Sequence, residues 1–383
     1  MQRPDRVLVV LLCETRAWKL TARSLAGRVL DPLHADLALC IGDREPPNPL
    51  HERAKFIWRA AEQDDWGDAY DAVAGHDRWR VLLKPRAQVF GGIRNPDAQE
   101  VGSGAIVLFF RHFLRESLEQ ARLLEAYDWV VITRSDLFWP VEHPSTPLLS
   151  NRQIYALDGE GYGGVGDRHF VVPQRHLRRF LSITAPIFDE PERLRRRLDR
   201  RSVAHDWPIM NVERLLAVRL KELGLWRAVR FLPYAPYAVR AASDATRWSE
   251  GVFDEEHGCY IKYPTELERS RIAQCFVGGQ DSWREYLAPI RGLHKRRALR
   301  HAYRERGLFE RPFRIGELHL RAARRGRHLA IKQRERRQKM IVEIGRALRR
   351  TPRIASMLDA RVRRIERRAE RRRRAGCSSG LHL

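Results

Sequence analysis

The chain has 383 residues, with 72 lysines and arginines against 48 acidic residues, so its formal net charge is +24. Residues 291–383 contain 31 of the basic and 8 of the acidic residues, which leaves 41 and 40 in residues 1–290. The body is therefore nearly neutral, and the charge of the chain is no evidence that this body binds nucleic acid.

The N-terminus begins with basic residues and the apolar run Val7–Cys13, which superficially imitates a signal peptide. The run is short and no small-residue cleavage site follows, so a first strand is predicted instead. No apolar stretch approaches the roughly 20 residues that span a bilayer, so any membrane contact is expected to be peripheral. Five widely spaced cysteines without a Cys-x-x-Cys pair indicate a reducing cytoplasm and no zinc site.

The first elements follow the order of a Rossmann-like βαβ unit. A strand over Val7–Leu12 precedes a helix that extends to Leu30, and a second strand covers Ala35–Ile41. Neither the Gly-x-Gly-x-x-Gly nor the Gly-x-x-x-x-Gly-Lys-Ser/Thr motif is present, which argues against a dinucleotide oxidoreductase and a P-loop kinase. A third, short strand is predicted over Val81–Leu83, and an amphipathic helix over Ile106–Ala126.

The central stretch of the chain is a buried strand over Trp129–Thr133 that ends at Arg134 and Asp136. In open α/β sheets, ligands bind outside the carboxyl ends of the strands, where an aspartate can hold a metal and an arginine a phosphate. The alternative for Asp136 is a turn cap. For Arg134 it is a structural ion pair with Asp128 or Asp167.

A glycine-rich loop follows a short strand over Ile154–Leu157 and leads into another strand over Phe170–Val172. Five glycines between residues 158 and 167 indicate a loop that approaches a phosphate or a sugar, or else a simple connection. A helix then begins near Val212 and ends at Gly224, and Val229–Leu232 is predicted to be the last strand of the body.

Beyond about residue 285 the chain is predicted to be a basic, helical C-terminal region with a polar tail, giving domains 1–285 and 286–383. Basic amphipathic helices suit the anionic inner face of a membrane. Packing on the body is the alternative. Nucleic-acid binding is a third interpretation, but no recognised motif or aromatic interleaving supports it.

The chain resembles a group of bacterial glycosyltransferase-like proteins from capsule, lipopolysaccharide and exopolysaccharide clusters. The matching features are Glu14-Thr15-Arg16, His34-Ala35-Asp36, Tyr127-Asp128, Arg134-Ser135-Asp136, Gly166-Asp167-Arg168 and Glu213 to Leu216. Their order and approximate spacing agree over residues 7 to about 240. The resemblance implies a GT-A-like α/β fold with a mostly parallel sheet flanked by helices. It also implies a hexosyltransferase-like enzyme that transfers a sugar from a nucleotide-sugar donor to a glycan or lipid-linked acceptor.

Six residues are predicted to bind the donor: Glu14, Arg16, Arg134, Asp136, Asp167 and Arg168. The common GT-A signature is Asp-x-Asp, which holds Mn²⁺ or Mg²⁺ against the diphosphate, and here Arg134 replaces the first aspartate. Asp136 is still predicted to hold the metal, with help from the diphosphate and water. The alternative is that Arg134 and Arg16 neutralise the diphosphate directly, and Glu14 and Arg16 can instead pair with each other.

Sugar transfer with inversion requires a general base near the acceptor hydroxyl, and Asp206 and Glu213 are the predicted catalytic residues. The alternative for Glu213 is an acid that stabilises the first turn of a helix. Two functions follow for the whole protein. One is a cytoplasmic, peripheral glycosyltransferase of surface polysaccharide synthesis, and the other is a non-enzymatic protein that binds nucleic acid or another polyanion through its basic C-terminal region.

Overall fold

The fold is that of a computed structural model, which describes residues 3–83, 88–94, 102–205, 210–241, 251–255 and 257–308. The strands are β1 (Val7–Cys13), β2 (Asp36–Gly42), β3 (Phe56–Ala60), β4 (Trp129–Thr133), β5 (Leu137–Phe138), β6 (Ile154–Asp158), β7 (Phe170–Pro173), β8 (Val229–Pro233), β9 (Tyr237–Arg240), β10 (Val252–Asp254) and β11 (Cys259–Ile261).

The helices are α1 (Trp18–Leu25), α2 (Asp31–Leu33), α3 (Pro49–Arg53), α4 (Trp66–Ala74), α5 (Gly104–Gln120), α6 (Gln174–Leu181), α7 (Ala185–Asp189), α8 (Pro191–His205), α9 (Val212–Glu222), α10 (Pro264–Gln274), α11 (Gln280–Leu287) and α12 (Arg291–Glu305). A π-helical turn at Ala26–Leu30 joins α1 to α2.

The central sheet has seven strands in the order β3-β2-β1-β4-β7-β6-β8, and β7 runs antiparallel to the other six. Both faces of the sheet are covered, as the uninterrupted apolar run of β1 requires. Along β1, Leu8 and Val10 face the layer that contains α4, α5 and α9, whereas Val9 and Leu11 face the layer that contains α11 and α12. The predicted α/β class with a mostly parallel, helix-flanked sheet is confirmed.

The order of the strands fixes where a ligand can enter. From β1 the chain proceeds to β2 on one side, whereas β4 lies on the other side of β1. Such a reversal leaves a crevice between the helices that leave neighbouring strands, at the carboxyl ends of the sheet. The stretch Arg134–Asp136 directly follows β4 and therefore lies at this crevice.

A second, four-stranded sheet has the order β10-β11-β9-β5. Three residues separate its strand β5 from β4. Leu137 of β5 pairs with Ala238 of β9 in antiparallel register. Strand β11 then pairs with β9 through Ile261 and Val239. This pairing carries β9 and β11, which are remote in sequence, to the end of β4.

Three predicted elements are corrected. The segment near Val81–Leu83 is not a strand, because Arg78–Leu82 forms a 3-10 helix that buries Trp79 and Leu82. The third strand is β3, an edge strand whose mixed exposure and interspersed polar residues conceal its pattern. Helix α5 ends at Gln120, and β8 is not the last strand because β9, β10 and β11 follow it.

The first helix of the predicted C-terminal domain packs on the sheet. Helix α12 buries Leu299 and Tyr303 in the same cluster as Val9 and Trp283. The boundary between residues 285 and 286 stays a prediction, and the rest of the predicted basic region, residues 309–383, lies outside the described residues. Among the helices that the structure describes, none is both long and apolar enough to cross a membrane.

Candidate anion-binding cleft

An open cleft with an empty volume of about 890 Å³ lies at the carboxyl ends of β1 and β4. One wall is polar and contains all six residues predicted to bind a donor: Glu14, Arg16, Arg134, Asp136, Asp167 and Arg168. The other wall is largely apolar and consists of Leu12, Trp66, Ile106, Val107, Phe110 and Ile132. The fold thus brings together residues that are separated by up to 156 positions in the sequence, from Leu12 to Arg168.

Hydrogen bonds from two hydroxyl groups connect the turns after β1 and β4. The single hydroxyl hydrogen of Ser135 is shared between the carbonyl oxygens of Glu14 (2.8 Å from Oγ) and Arg16 (2.9 Å), and Thr21 Oγ1 donates to the carbonyl oxygen of Ser135 (2.6 Å). These bonds hold both turns in place at the cleft. Arg16 and Glu14 also form an ion pair with each other, as the alternative interpretation of these residues expects.

Asp136 is a buried carboxylate held between two arginines. Arg134 binds it in a bidentate manner, with Nε 3.2 Å from Oδ1 and Nη2 3.2 Å from Oδ2. Arg240 of β9 donates from Nη1 to Oδ2 at 2.5 Å. Burial opposes ionisation of this carboxyl group, but the charges of Arg134, Arg240 and Lys262 prevail and hold its pKa well below the usual range.

The two arginines on Asp136 differ in exposure. The Arg240 side chain is 3% exposed, whereas that of Arg134 is 23% exposed and lines the cleft. Arg240 therefore compensates the buried carboxylate, and the carboxylate in turn orients Arg134 toward the cleft. Charge-assisted bidentate contacts of this kind fix a guanidinium plane more firmly than a single hydrogen bond does.

Arg168 is the second buried arginine on the polar wall. Its Nη1 donates to the hydroxyl of Tyr234 (2.9 Å) and forms an ion pair with Glu266 of α10. Its guanidinium carbon lies 5.0 Å from the centroid of the Tyr263 ring, a cation–π distance. Glu266 also accepts from the backbone N–H of Ala238 (2.9 Å), which ties this arginine to the small sheet.

The glycine-rich loop packs closely on helix α9. A Cβ atom on Gly164 would lie 2.0 Å from the carbonyl oxygen of Glu213, so only glycine fits there. The N–H of Val165 donates to that same oxygen at 3.1 Å. Gly164 therefore allows the loop to pack closely against the helix. At the far end of the loop, Asp167 and Arg168 line the cleft.

Of the two predicted catalytic residues, Glu213 is described by the structure. Glu213 lies in the first turn of α9 and is not among the residues that line the cleft, so its placement agrees with the alternative of a first-turn acid. Asp206 lies outside the described residues. Tyr237, which has the character of a sugar-stacking residue, is buried and packs on Phe138 with 5.4 Å between ring centroids.

The described residues do not fit the predicted Mn²⁺ or Mg²⁺ at Asp136. Hard divalent cations require several oxygen ligands, but both oxygens of Asp136 already accept from arginines. Within the described part of the chain, no group of three or more metal-ligating side chains exists. The arrangement of positive groups fits the alternative better, in which arginines take the place of the metal.

Several residues of the site have no signal in the sequence. Arg240, Lys262, Tyr263 and Glu266 follow the strand that the sequence predicts to be the last of the body. They come close to Asp136 and Arg168 of the lining only because β9 pairs with β5 and β11 with β9. Conversely, the turns after β1 and β4 are recognisable because polar residues follow buried strands directly.

No protein-family model matches the chain, and no curated protein sequence matches it. Among solved structures, it is similar to the apo form of mouse xyloside xylosyltransferase 1, with a TM-score of 0.33 and 9% sequence identity. The match covers 60% of this chain and 86% of that one. A similarity this distant carries no functional argument. The predicted membership of a bacterial capsule group has no support from these comparisons.

Proposed function

We propose that the chain is a glycosyltransferase that uses a nucleotide-sugar donor. The observation that carries the proposal is the mixed lining of the cleft, to which Arg134, Arg168 and Arg16 contribute positive charge and the residues around Trp66 and Phe110 contribute an apolar part. A nucleoside diphosphate sugar has two matching parts, a dianionic diphosphate and a flat nucleobase. The position at the carboxyl ends of β1 and β4 agrees with ligand sites in sheets of this type.

The chemical role of the polar wall is to bind the diphosphate and stabilise the charge that develops on it as the glycosidic bond to the sugar breaks. Arg134 is the residue best placed for this, because it is exposed to the cleft and already held in a fixed plane by Asp136. Arg16 contributes from the opposite turn. Since these charges are in place before the donor arrives, little reorganisation is needed during the reaction.

The apolar wall would receive the nucleoside. Trp66 and Phe110 pack together with 5.7 Å between ring centroids, so the wall is preformed. Asp167 is the candidate for the base that deprotonates the acceptor hydroxyl, because it lines the cleft and no described lysine or arginine pairs with its carboxylate. Asp206 stays a candidate for the same role. The acceptor is proposed to be a glycan or a lipid-linked glycan.

A panel of nucleotide sugars tests this proposal. Thermal shift should show that one of the UDP-, GDP-, CMP- or dTDP-sugars stabilises the protein, by about 2.7 kcal/mol when its concentration is 100 times Kd. At the same concentration the stabilisation should fall to about 0.4–1.4 kcal/mol in Arg134→Met. It should persist in Arg44→Met, where the side chain is 62% exposed and pairs with Asp64. If no nucleotide sugar stabilises the protein and RNA or DNA binds tightly with strong salt dependence, the polyanion-binding alternative replaces the proposal.

A further inference from the structure

Lys262 lies beside the arginines of the cleft, although it is remote from them in sequence. It directly follows β11, and its backbone N–H donates to the carbonyl oxygen of Ala238 in β9 at 2.9 Å. Two residues farther along β9, Arg240 pairs with Asp136. The side chain of Lys262 therefore belongs to the cluster of charges at the end of β4.

The surroundings of this amine are strongly cationic. The charges that act on it belong to Arg134 and Asp136 in the turn after β4, Arg240 in β9 and Arg168 in the loop before β7. Lys262 Nζ lies 5.1 Å from the ring centroid of its sequence neighbour Tyr263. The guanidinium carbon of Arg168 lies 5.0 Å from the same centroid. Glu266 on α10 pairs with Arg168. Among the described residues whose charges act on the amine, Asp136 provides the carboxylate, and two guanidinium groups already bind it.

This environment disfavours the charged form of the lysine. Burial, followed by the positive charges of Arg134, Arg240 and Arg168, lowers the pKa of Lys262 to about 6, although Asp136 opposes the shift. At neutral pH most of the protein molecules therefore hold a neutral amine at this position. The negative charge of Asp136 does not balance the positive charges of the three neighbouring arginines together with a charged lysine.

A bound diphosphate would supply the missing negative charge. We propose that Lys262 is a further cation of the anion site and that its amine takes up one proton from solvent when a diphosphate-bearing ligand binds in the cleft. The nature of the ligand rests on the proposed function, whereas the coupling itself requires only an anion. The reaction is the conversion of R–NH₂ and H⁺ to R–NH₃⁺, without any bond to the ligand.

The coupling has a defined pH window. Above pH 6 each binding event consumes up to one proton, so affinity should fall by up to about tenfold for each unit of rising pH. Below pH 6 the amine is already charged, and this contribution to the pH dependence should vanish. At high pH the lysine stays neutral even in the complex, so binding no longer takes up a proton.

Titration calorimetry at pH 7.5 in buffers with different ionisation enthalpies measures the protons taken up. The ligands are inorganic pyrophosphate and the nucleotide sugar that gives the largest thermal shift. Proton exchange by pyrophosphate itself is common to all variants, so the difference between variants reports Lys262. The wild type should take up between half a proton and one proton more than Lys262→Arg, whose side chain is always charged. Lys262→Met should lose the uptake and bind at least tenfold more weakly.

Lys221 provides a matched control. It is a second lysine whose pKa is lowered by burial, to about 8, and it lies on α9 over the ring of Trp226 instead of at the cleft. The variant Lys221→Arg should retain the proton uptake of the wild type. Melting temperatures identify any variant that fails to fold, and Lys262→Met and Lys262→Arg test the proposal independently of each other.

The results separate the two proposals. If pyrophosphate binds with proton uptake that depends on Lys262 but no nucleotide sugar binds, the coupling stands and the glycosyltransferase proposal fails. If a nucleotide sugar binds and Lys262→Arg takes up as many protons as the wild type, the coupling is wrong and the proposed function stands. Failure of the wild type to bind pyrophosphate or any nucleotide sugar overturns the coupling as well.

Discussion

The two halves of the cleft differ in how the chain builds them. The turns after β1 and β4 are local, because each polar residue follows its own buried strand within one to three positions. The half that contains Arg240, Lys262 and Glu266 depends on pairing between β5, β9 and β11. The comparison teaches that Arg134, which lines the cleft, comes from the local half, while the residues that share or balance its charge come from the distant half.

Asp136 joins the two halves, so its substitution should have the largest effect on stability. In Asp136→Asn, Arg240 loses its charged partner while it stays buried, and breaking such a pair costs about 3–5 kcal/mol. The measurement is the free energy of unfolding in urea at pH 7. The matched control is Asp128→Asn, since Asp128 pairs with Arg6 at an exposed site and should cost no more than about 1 kcal/mol.

The low pKa of Asp136 gives this contribution a pH dependence. Because the folded-state pKa is lowered, the stabilisation is present above the ordinary carboxyl pKa and is lost only as the pH falls through the lower folded value. The difference in stability between wild type and Asp136→Asn should therefore persist from pH 7 down to about 5. Equal stabilities of the two proteins at pH 7 would show that the buried pair does not join the halves.

Arg134 is the residue of the local half that should matter most for the ligand. Arg134→Met removes a charge-assisted contact that contributes about 1.5–3 kcal/mol, so affinity for the nucleotide sugar should fall about 10- to 100-fold. The fold should persist, because Arg240 still compensates Asp136. Calorimetry measures the affinity, and unchanged binding would mean that Arg134 serves only as the partner of Asp136.

Substitution of Lys262, in the distant half, should change the stability of the ligand-free protein less than substitution of Asp136 does. The sign should be opposite, because the Lys262 variant should be more stable than the wild type. The Lys262 folded-state pKa of about 6 lies below the ordinary lysine value, so the unfolded state binds more protons between these two values. Wild-type stability should therefore rise with pH from 6 toward 10 relative to Lys262→Met. At pH 7 the variant should melt a few degrees higher, by about 4–8 °C per kcal/mol for small domains and less for a chain of this size.

This stability measurement has a clear contrary outcome. If Lys262→Met melts below the wild type at pH 7 and the difference does not change with pH, the amine is well accommodated in its charged form. The distant half would then be an ordinary packed surface with balanced charges. Adding pyrophosphate should remove the advantage of the variant, because only the wild type gains a fourth cation for the ligand.

The same division explains how far the sequence predicts the structure. Strands β1, β2, β4, β6 and β7 are recognisable because they are short apolar runs with polar ends, and they suffice to predict the fold class and six residues that meet at the cleft. Strand β3 is missed because its residues Phe56–Ala60 mix exposed and buried positions at a sheet edge. A hydrophobic pattern cannot reveal such a strand.

The part of the site that the sequence does not predict depends on tertiary pairing. The predicted metal at Asp136 assumes a free carboxylate, but pairing of β5 with β9 brings Arg240 to that carboxylate. The sequence within ten residues of Asp136 does not predict that Arg240 pairs with it. In the same way, Lys262 has an ordinary local sequence, and its unusual environment arises only from the arginines that three other segments place around it.

Titration of the wild type with its nucleotide sugar in EDTA tests most directly whether protein cations replace a metal in this cleft. We predict that Kd changes by less than about twofold between EDTA and excess Mn²⁺, since Arg134, Arg168 and Lys262 supply the positive charge. Measurements with Arg134→Met in EDTA should show the weaker binding expected for that variant. Loss of wild-type binding in EDTA, with recovery in Mn²⁺, would contradict the proposed role of these residues.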